Sequence, residues 1–255
     1  MDSHPHGTTT IPGTPPEAHE GARWHERPVV AFDTETTGID VTHDRIVTAA
    51  LVRGQLPDDG VPGGATTWLV DPGVEIPAAA TAVHGITTAQ ARAGGRPPLE
   101  ALVEIAGALT SAARAGENVV VFNASYDLAL LDAELARHGL ATLAQRLDGT
   151  AMTVVDPLVL DRALDRYRRG KRTLAHLCEV YDVTVTEELH SADADARVTL
   201  EVLAQMVRRF PELTELDQPG ITAFQRTAHE QWATGFNTWR QERGIPGDPV
   251  SAVWP

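Results

Sequence analysis

One cysteine, one lysine and few aromatic residues set the first limits on this 255-residue chain. The lone cysteine, Cys178, excludes an intramolecular disulfide and a cysteine-ligated zinc cluster. It makes a reduced, intracellular setting the default expectation. Aromatics are only 5% of the residues, so any core must be built mainly from aliphatic side chains and alanine. No apolar run approaches the roughly 20 residues of a membrane-spanning helix. The N-terminus also lacks the basic start and apolar stretch of a secretory signal. A cytoplasmic protein with no membrane partner is the expectation.

Basic charge is also scarce. The 21 basic residues are outnumbered by 35 acidic ones, for a net charge of −14. That balance argues against tight, non-specific binding to nucleic acid, whose phosphates need basic partners. It does not argue against phosphate chemistry performed through cations. Clustered carboxylates add negative charge to a protein, and the metals they hold invert the local field.

The length allows one good-sized domain with extensions, or at most two small domains. Residues 1–27 are rich in Thr, Pro, Gly and His, have no apolar periodicity and read as a disordered tail. Their histidines, His4, His6, His19 and His25, lack regular ligand spacing and read as solvated. Residues 28–210 carry the periodic signals of a domain, and residues 211–255 form a C-terminal extension.

Short apolar runs predict strands at 28–33, 45–53, 65–70, 118–122 and 151–155. The first three lie close enough in sequence to form an antiparallel meander. Helical spacing predicts helices at 98–114, 125–138, 157–167, 173–181 and 192–209. This order gives an α/β fold with a mixed five-stranded sheet and helices on both faces. In the extension, 221–243 predicts one amphipathic helix carrying Phe224, Trp232, Phe236 and Trp239, whose apolar stripe is expected to pack on the domain. The last residues are expected to be loose.

Four acids and one histidine fall at the ends of these elements. Asp33 and Glu35, in the string F-D-T-E-T-T-G (Phe32–Gly38), are two apart and share one face of the first strand. Carboxylates held together repel unless a cation sits between them. Gly38 permits close approach or a tight turn. Asp127, in F-N-A-S-Y-D-L-A-L-L (Phe122–Leu131), falls in a first helical turn. There it either serves the site or only complements the helix dipole. In H-S-A-D-A-D-A-R-V-T (His190–Thr199), His190 lies on an entering loop and Asp195 in the first turn of the helix that follows. Ordinary helix-start acids and a surface histidine are the bland alternative.

Taken together, the three strings resemble the DnaQ-like exonucleases, in the subgroup with four acids and a histidine and nearest the DNA polymerase III epsilon branch. The resemblance spans roughly residues 28–210, and none of the five residues is missing. It implies a ribonuclease H-like fold and a metal-dependent 3′→5′ exonuclease. Asp33, Glu35, Asp127 and Asp195 would hold two divalent ions, Mg²⁺ with Mn²⁺ as substitute, with Asp33 bridging both. His190 would be the general base. Thr36 and Thr37, or their backbone groups, are the candidates for contacting the terminal sugar. His84, in V-H-G-I-T (Val83–Thr87), would line the terminal-nucleotide pocket. Phe122, Asn123 and Tyr126 would hold the penultimate nucleotide.

The expected reaction is phosphodiester hydrolysis at single-stranded or frayed 3′ ends of DNA, releasing nucleoside monophosphates. The expected partners are nucleic acid, DNA over RNA, and a DNA polymerase or another replication or repair protein. An exoribonuclease of the ribonuclease T or oligoribonuclease type shares the same five residues and is the alternative. A non-catalytic polymerase-associated module is the rival of a different class. The basic run Arg162–Arg172, with Tyr167, reads equally as a phosphate-tracking patch or a solvated loop.

Overall fold

The computed structural model describes residues 22–56, 64–185 and 189–255. Five strands are present: β1 (Pro28–Thr36), β2 (Ile46–Gln55), β3 (Ala65–Leu69), β4 (Asn118–Val120) and β5 (Val154–Val155). The helices that precede β5 are α1 (Ala78–His84), α2 (Thr88–Gly94), α3 (Pro98–Arg114), α4 (Ala124–Arg137) and α5 (Leu143–Leu147). After β5 come α6 (Pro157–Leu164), α7 (Leu174–Val180), α8 (Ala192–Arg209) and α9 (Gln218–Glu242).

The strands form one sheet in the order β3-β2-β1-β4-β5. β1, β2 and β3 are the expected antiparallel meander, and β4 and β5 add in parallel beside β1. The sheet is therefore mixed, with helices on both faces.

Alternation along β1 sorts its side chains between two cores. Val30 and Phe32 enter a core with residues of α3 and α4. Val29 and Ala31 enter a second core with residues of α6, α7 and α8. Continuing the alternation sends Asp33 and Glu35 toward the α8 side and Thr34 toward α4. Pairing of β1 with β2 slips between Glu35 and Thr36. An irregularity of this kind re-aims the side chains beyond it and ends the regular ladder. The carboxyl ends of β1 and β4 then open a crevice, the usual position of ligand sites in α/β sheets.

Three segments depart from the sequence expectation. Trp24 lies within the span read as tail, yet it is fully buried in a 3-10 turn, Trp24–Glu26. Its indole donates to the Leu213 carbonyl (2.7 Å) and its own carbonyl accepts from the Asn118 side chain (2.7 Å). A lone tryptophan among polar residues gives no periodic signal, because its partners are far away in sequence. The rest of that tail lies outside the described residues, apart from Ala22 and Arg23 and from Arg27 just before β1.

Helix α5 went unpredicted because five residues are too few to show a period, and α1 and α2 for a related reason. α1 buries no residue fully and α2 buries only Ala91, so neither shows an apolar stripe. At the other end, the residues expected to be loose fold back along α9. Asn237 exchanges two hydrogen bonds with the Val250 backbone (2.8 and 2.9 Å), and Trp254 is buried in the core shared with α3 and α4.

Candidate active site

Asp33, Glu35 and Asp195 bring ligand oxygens within 4.8 Å of one another. Two come from adjacent same-face positions on β1, and the third from the first turn of α8, which packs on that face. Asp127, from the first turn of α4, lies on the other side of β1 and lines the same cavity. It is 4% exposed and accepts a hydrogen bond from Thr34 Oγ1 at 2.6 Å. The β1 segment thus supplies two carboxylates to one side and an anchoring hydroxyl to the other.

The electrostatics follow from crowding and burial. Burial, then the charges of Asp127, Asp195 and Glu35, pushes the Asp33 carboxyl well above the ordinary range. Glu35 is pushed up to about 7 by burial and then by Asp195 and Asp127. Asp127 rises to about 7 through burial, against hydrogen bonds from Thr34 and the backbone that pull it down. Burial also raises Asp195. Four acids that resist ionising together form a site that gains from a cation. The donors are all carboxylate oxygens, which suit a hard divalent ion.

His190 lines the cavity from the loop entering α8. Its backbone N–H donates to Asp195 Oδ1 (3.1 Å), tying the loop to the cluster. Its φ of +85° lies in the left-handed region, which costs energy for a residue other than glycine.

The cavity, about 420 Å³, also includes Phe122, Asn123, Tyr126, Leu158 and Arg162 in its wall. The sequence-predicted Phe122, Asn123 and Tyr126 are therefore brought to the acids. The Thr36 hydroxyl bridges Tyr126 OH (3.0 Å) and the Gly38 carbonyl (2.6 Å) at the end of β1. Thr37 is buried, and its hydroxyl donates to Asp44 (2.7 Å) and accepts from the Arg45 amide (3.0 Å). That places the Thr37 side chain inside the turn, not in the cavity wall. Gly38 is required there, because a Cβ would lie 2.5 Å from an Asp44 oxygen.

His84 ends α1 outside the cavity wall. Its Nδ1 accepts from the Ile86 amide (3.1 Å), and its Nε2 is buried with no hydrogen-bond partner. Burial lowers its pKa.

One site-supporting residue escaped the sequence reading. Asp156 is 1% exposed and receives four backbone amides. Leu158 (2.9 Å) and Val159 (3.4 Å) donate from the start of α6, and Asn123 (3.0 Å) and Ala124 (2.9 Å) from the start of α4. One carboxylate thus fixes the helix that carries Asp127 to the helix that carries Arg162. Its string, Asp followed by Pro at the first helical position, is an N-cap signature that could have flagged it.

The basic run divides. Arg168 and Arg172 both engage the fully buried Asp161, which also accepts from Tyr181 OH at 2.8 Å. These two arginines support the fold through one shared carboxylate, and Arg172 also reaches the cavity wall. Arg162 and Arg172 both line the cavity, but only Arg172 is held by Asp161.

Residues 30–203 match the family model described as Exonuclease (RNase_T). A DNA polymerase III subunit epsilon-like protein of Rhodobacter capsulatus is 32% identical over 76% of this chain. The chain spans 25% of the length of that relative. Among solved structures, E. coli exonuclease I in complex with a dT13 oligonucleotide matches 73% of this chain and 42% of its own, with 21% identity and a TM-score of 0.63. Exonuclease X in complex with 5′-overhanging duplex DNA matches 77% of this chain and 99% of its own, with 18% identity and a TM-score of 0.55. These likenesses bear out the ribonuclease H-like sheet expected from the sequence. The matched span holds Asp33, Glu35, Asp127, His190 and Asp195, and the chain belongs to the exonuclease (RNase_T) family.

Proposed function

We propose that this chain hydrolyses phosphodiester bonds at the 3′ end of single-stranded or frayed DNA and releases nucleoside monophosphates. The observation that carries the proposal is the convergence of Asp33, Glu35 and Asp195 within 4.8 Å, beside Asp127 and His190 in one cavity.

Asp33, Glu35, Asp127 and Asp195 would hold two divalent cations, Mg²⁺ with Mn²⁺ as substitute. When bound, the cations neutralise charge at the phosphate and acidify the attacking water. Asp33 is central to the cluster, since all three other acids act on it electrostatically. Thr34 orients the Asp127 carboxylate. His190 accepts the proton of the attacking water, with its loop held by the bond from its own amide to Asp195. Phe122, Asn123 and Tyr126 pack against the nucleotide on the 5′ side of the scissile bond, and Thr36 and His84 face the terminal one.

DNA as substrate is supported by the names of the relatives, which include an epsilon-like protein and DNA-bound exonucleases. The epsilon-like relative also supports docking to a DNA polymerase. No helix among the described residues is long and apolar enough to cross a membrane, in keeping with a cytoplasmic enzyme.

The test uses two 5′-labelled single strands, one DNA and one RNA, with Mg²⁺ or Mn²⁺ and an Asp33→Ala control. A metal-dependent ladder shortening from the 3′ end of the DNA, absent in the variant, is expected. Faster cleavage of RNA would reassign the substrate to the exoribonuclease type. Cleavage of neither strand by folded, metal-loaded protein would overturn the reading of a free-standing exonuclease.

A further inference from the structure

Helix α9 lies beyond the residues matched by the family model, and it outruns the body it packs on. Its first half is stitched down by Gln225. That side chain is fully buried, accepts from the Asp156 amide (2.7 Å) and donates to the Val154 carbonyl (2.9 Å). α9 therefore runs beside α6, with Gln225 next to the start of α6 and Trp232 next to Arg162. α6 stops at Leu164, and α9 continues to Glu242.

At 100° per residue, Ile221, Gln225, Trp232, Phe236 and Trp239 fall on one face. Ile221 and Gln225 are fully buried, Trp232 and Phe236 are half-buried, and Trp239 is 42% exposed. The face that packs at one end of the helix thus emerges into solvent at the other as an aromatic stripe. Its rings are regularly disposed. Trp232 and Phe236 stack with centroids 5.4 Å apart, and Phe236 and Trp239 with centroids 5.8 Å apart.

The near end of this stripe touches the catalytic cavity. The Arg162 guanidinium lies 3.6 Å from the Trp232 ring centroid, and Arg162 lines the cavity wall. Arg162 makes no hydrogen bond or ion pair with any described residue, so its donors remain for a ligand. At the far end Arg243 lies 4.9 Å over Trp239. Arg240 lies 5.9 Å over Phe236 and, among the described residues, bonds the carbonyls of Pro246 and Asp248 and no carboxylate. Of the acids in this part of α9, Glu230 sits roughly 160° around the helix from Trp232, and Glu242 roughly 60° from Trp239, one turn beyond it. A protein of net charge −14 thus gathers cations and aromatic rings on one path out of its acidic site.

We propose that Arg162 and the stripe Trp232–Phe236–Trp239 form a track for the single strand on the 5′ side of the scissile bond, an inference that rests on the nuclease reading above. Arg162 takes the first phosphate outside the acidic cluster. Because the rings of α9 stack on one another, they meet the bases that follow through their exposed edges and through the outer end of the stack at Trp239, and Arg240 and Arg243 supply the charge alongside.

The test measures binding apart from cleavage. In an Asp33→Ala background, fluorescence anisotropy with labelled single-stranded DNA of 4 and 12 nucleotides reads affinity and its dependence on length. Tryptophan fluorescence reads stacking. The parent background is expected to bind the longer strand more tightly and to be quenched by it. Trp239→Ala should weaken binding of the 12-mer about fivefold to hundredfold, the range for loss of one base–aromatic stack, and Phe236→Ala about twofold to tenfold, for a ring met at its edge. Trp239→Phe should restore affinity, and melting curves confirm folding. Equal affinity of both variants and the parent for the 12-mer would overturn the track. So would a mass by light scattering showing that the stripe instead joins two copies, with strand affinity unaltered by the substitutions. Quenching by the strand with no cleavage by the wild-type protein would sink the nuclease reading alone. Cleavage without quenching or length dependence would sink the track alone.

Discussion

Thr34 Oγ1 donates to Asp127 Oδ1 at 2.6 Å, linking the middle of the β1 carboxylate pair to the acid of α4. The two residues are 93 positions apart, and the contact exists because β1 alternates its side chains between two helical layers. Thr34 is 8% exposed, so the bond is shielded from water.

Thr34→Val removes that bond while keeping the shape of the side chain. The bond holds the Asp127 carboxyl down, so its loss drives a group already near 7 further up. Cleavage at pH 7 should fall about tenfold to hundredfold, the usual range for loss of a partner that orients a metal ligand. The acid limb of the pH–rate profile should move to higher pH, so that part of the loss is recovered at pH 9. A uniform loss at every pH would show that Thr34 only packs.

The acidic cluster should make the metal-free protein less stable as pH rises. Glu35 and Asp127 titrate near 7 in the fold, against ordinary values of 4.5 and 3.8. Between those limits the folded chain binds more protons than the unfolded chain, so stability falls across roughly pH 4–7 and stays low above. Asp33→Asn removes one charge from the crowd. At pH 8 in EDTA its Tm should exceed that of the wild type by about 2–8 °C, corresponding to about 1–2 kcal/mol for a chain of this size. Mn²⁺ should raise the wild-type Tm and have much less effect on the variant. A lower Tm for Asp33→Asn without metal would contradict the repulsion argument.

His190 separates chemistry from backbone strain. His190→Gly removes the ring and relieves a φ of +85°. Activity should drop about 10²- to 10⁴-fold, the range for loss of a general base. The melting temperature should be equal or higher, since only glycine adopts this conformation freely. Mn²⁺ binding followed by calorimetry should persist, because the four acids are intact.

Asp156→Ala leaves the first amides of two helices without their acceptor. A loss of about 3 kcal/mol is expected, read as a fall in Tm of about 6–12 °C. The start of α4 carries Asn123 and Asp127, so KM for the strand should rise as well. Asp156→Asn keeps one carbonyl oxygen and should fall between the two.

The sheet and most helices were legible because their signals are local. Asp33 and Glu35 stand two apart at the end of an apolar run, which is enough to place both on one face of a buried strand. Asp195 falls in the first turn of α8, which shows a continuous apolar stripe. By contrast Trp24, α1 and α2 carry no periodic pattern, and Asp156, legible as the N-cap of α6, shows its hold on α4 only through amides 32 and 33 positions earlier in the sequence. The basic run Arg162–Arg172 looked uniform in the sequence. Only the buried Asp161 divides it, holding Arg168 and Arg172 as supports, the latter still in the cavity wall, and leaving Arg162 there without a carboxylate partner among the described residues.

Residue order alone thus determined the five strands, the longer helices and the family, and it singled out the five residues proposed for the site, because each rests on short-range spacing and side-chain chemistry. Tertiary structure decided what those residues feel. Burial and mutual repulsion raise the acids, Thr34 reaches Asp127 across the sheet, and α9 lays its aromatic stripe beside Arg162. Each of these depends on distances between segments far apart in the chain, and no local pattern encodes such a distance.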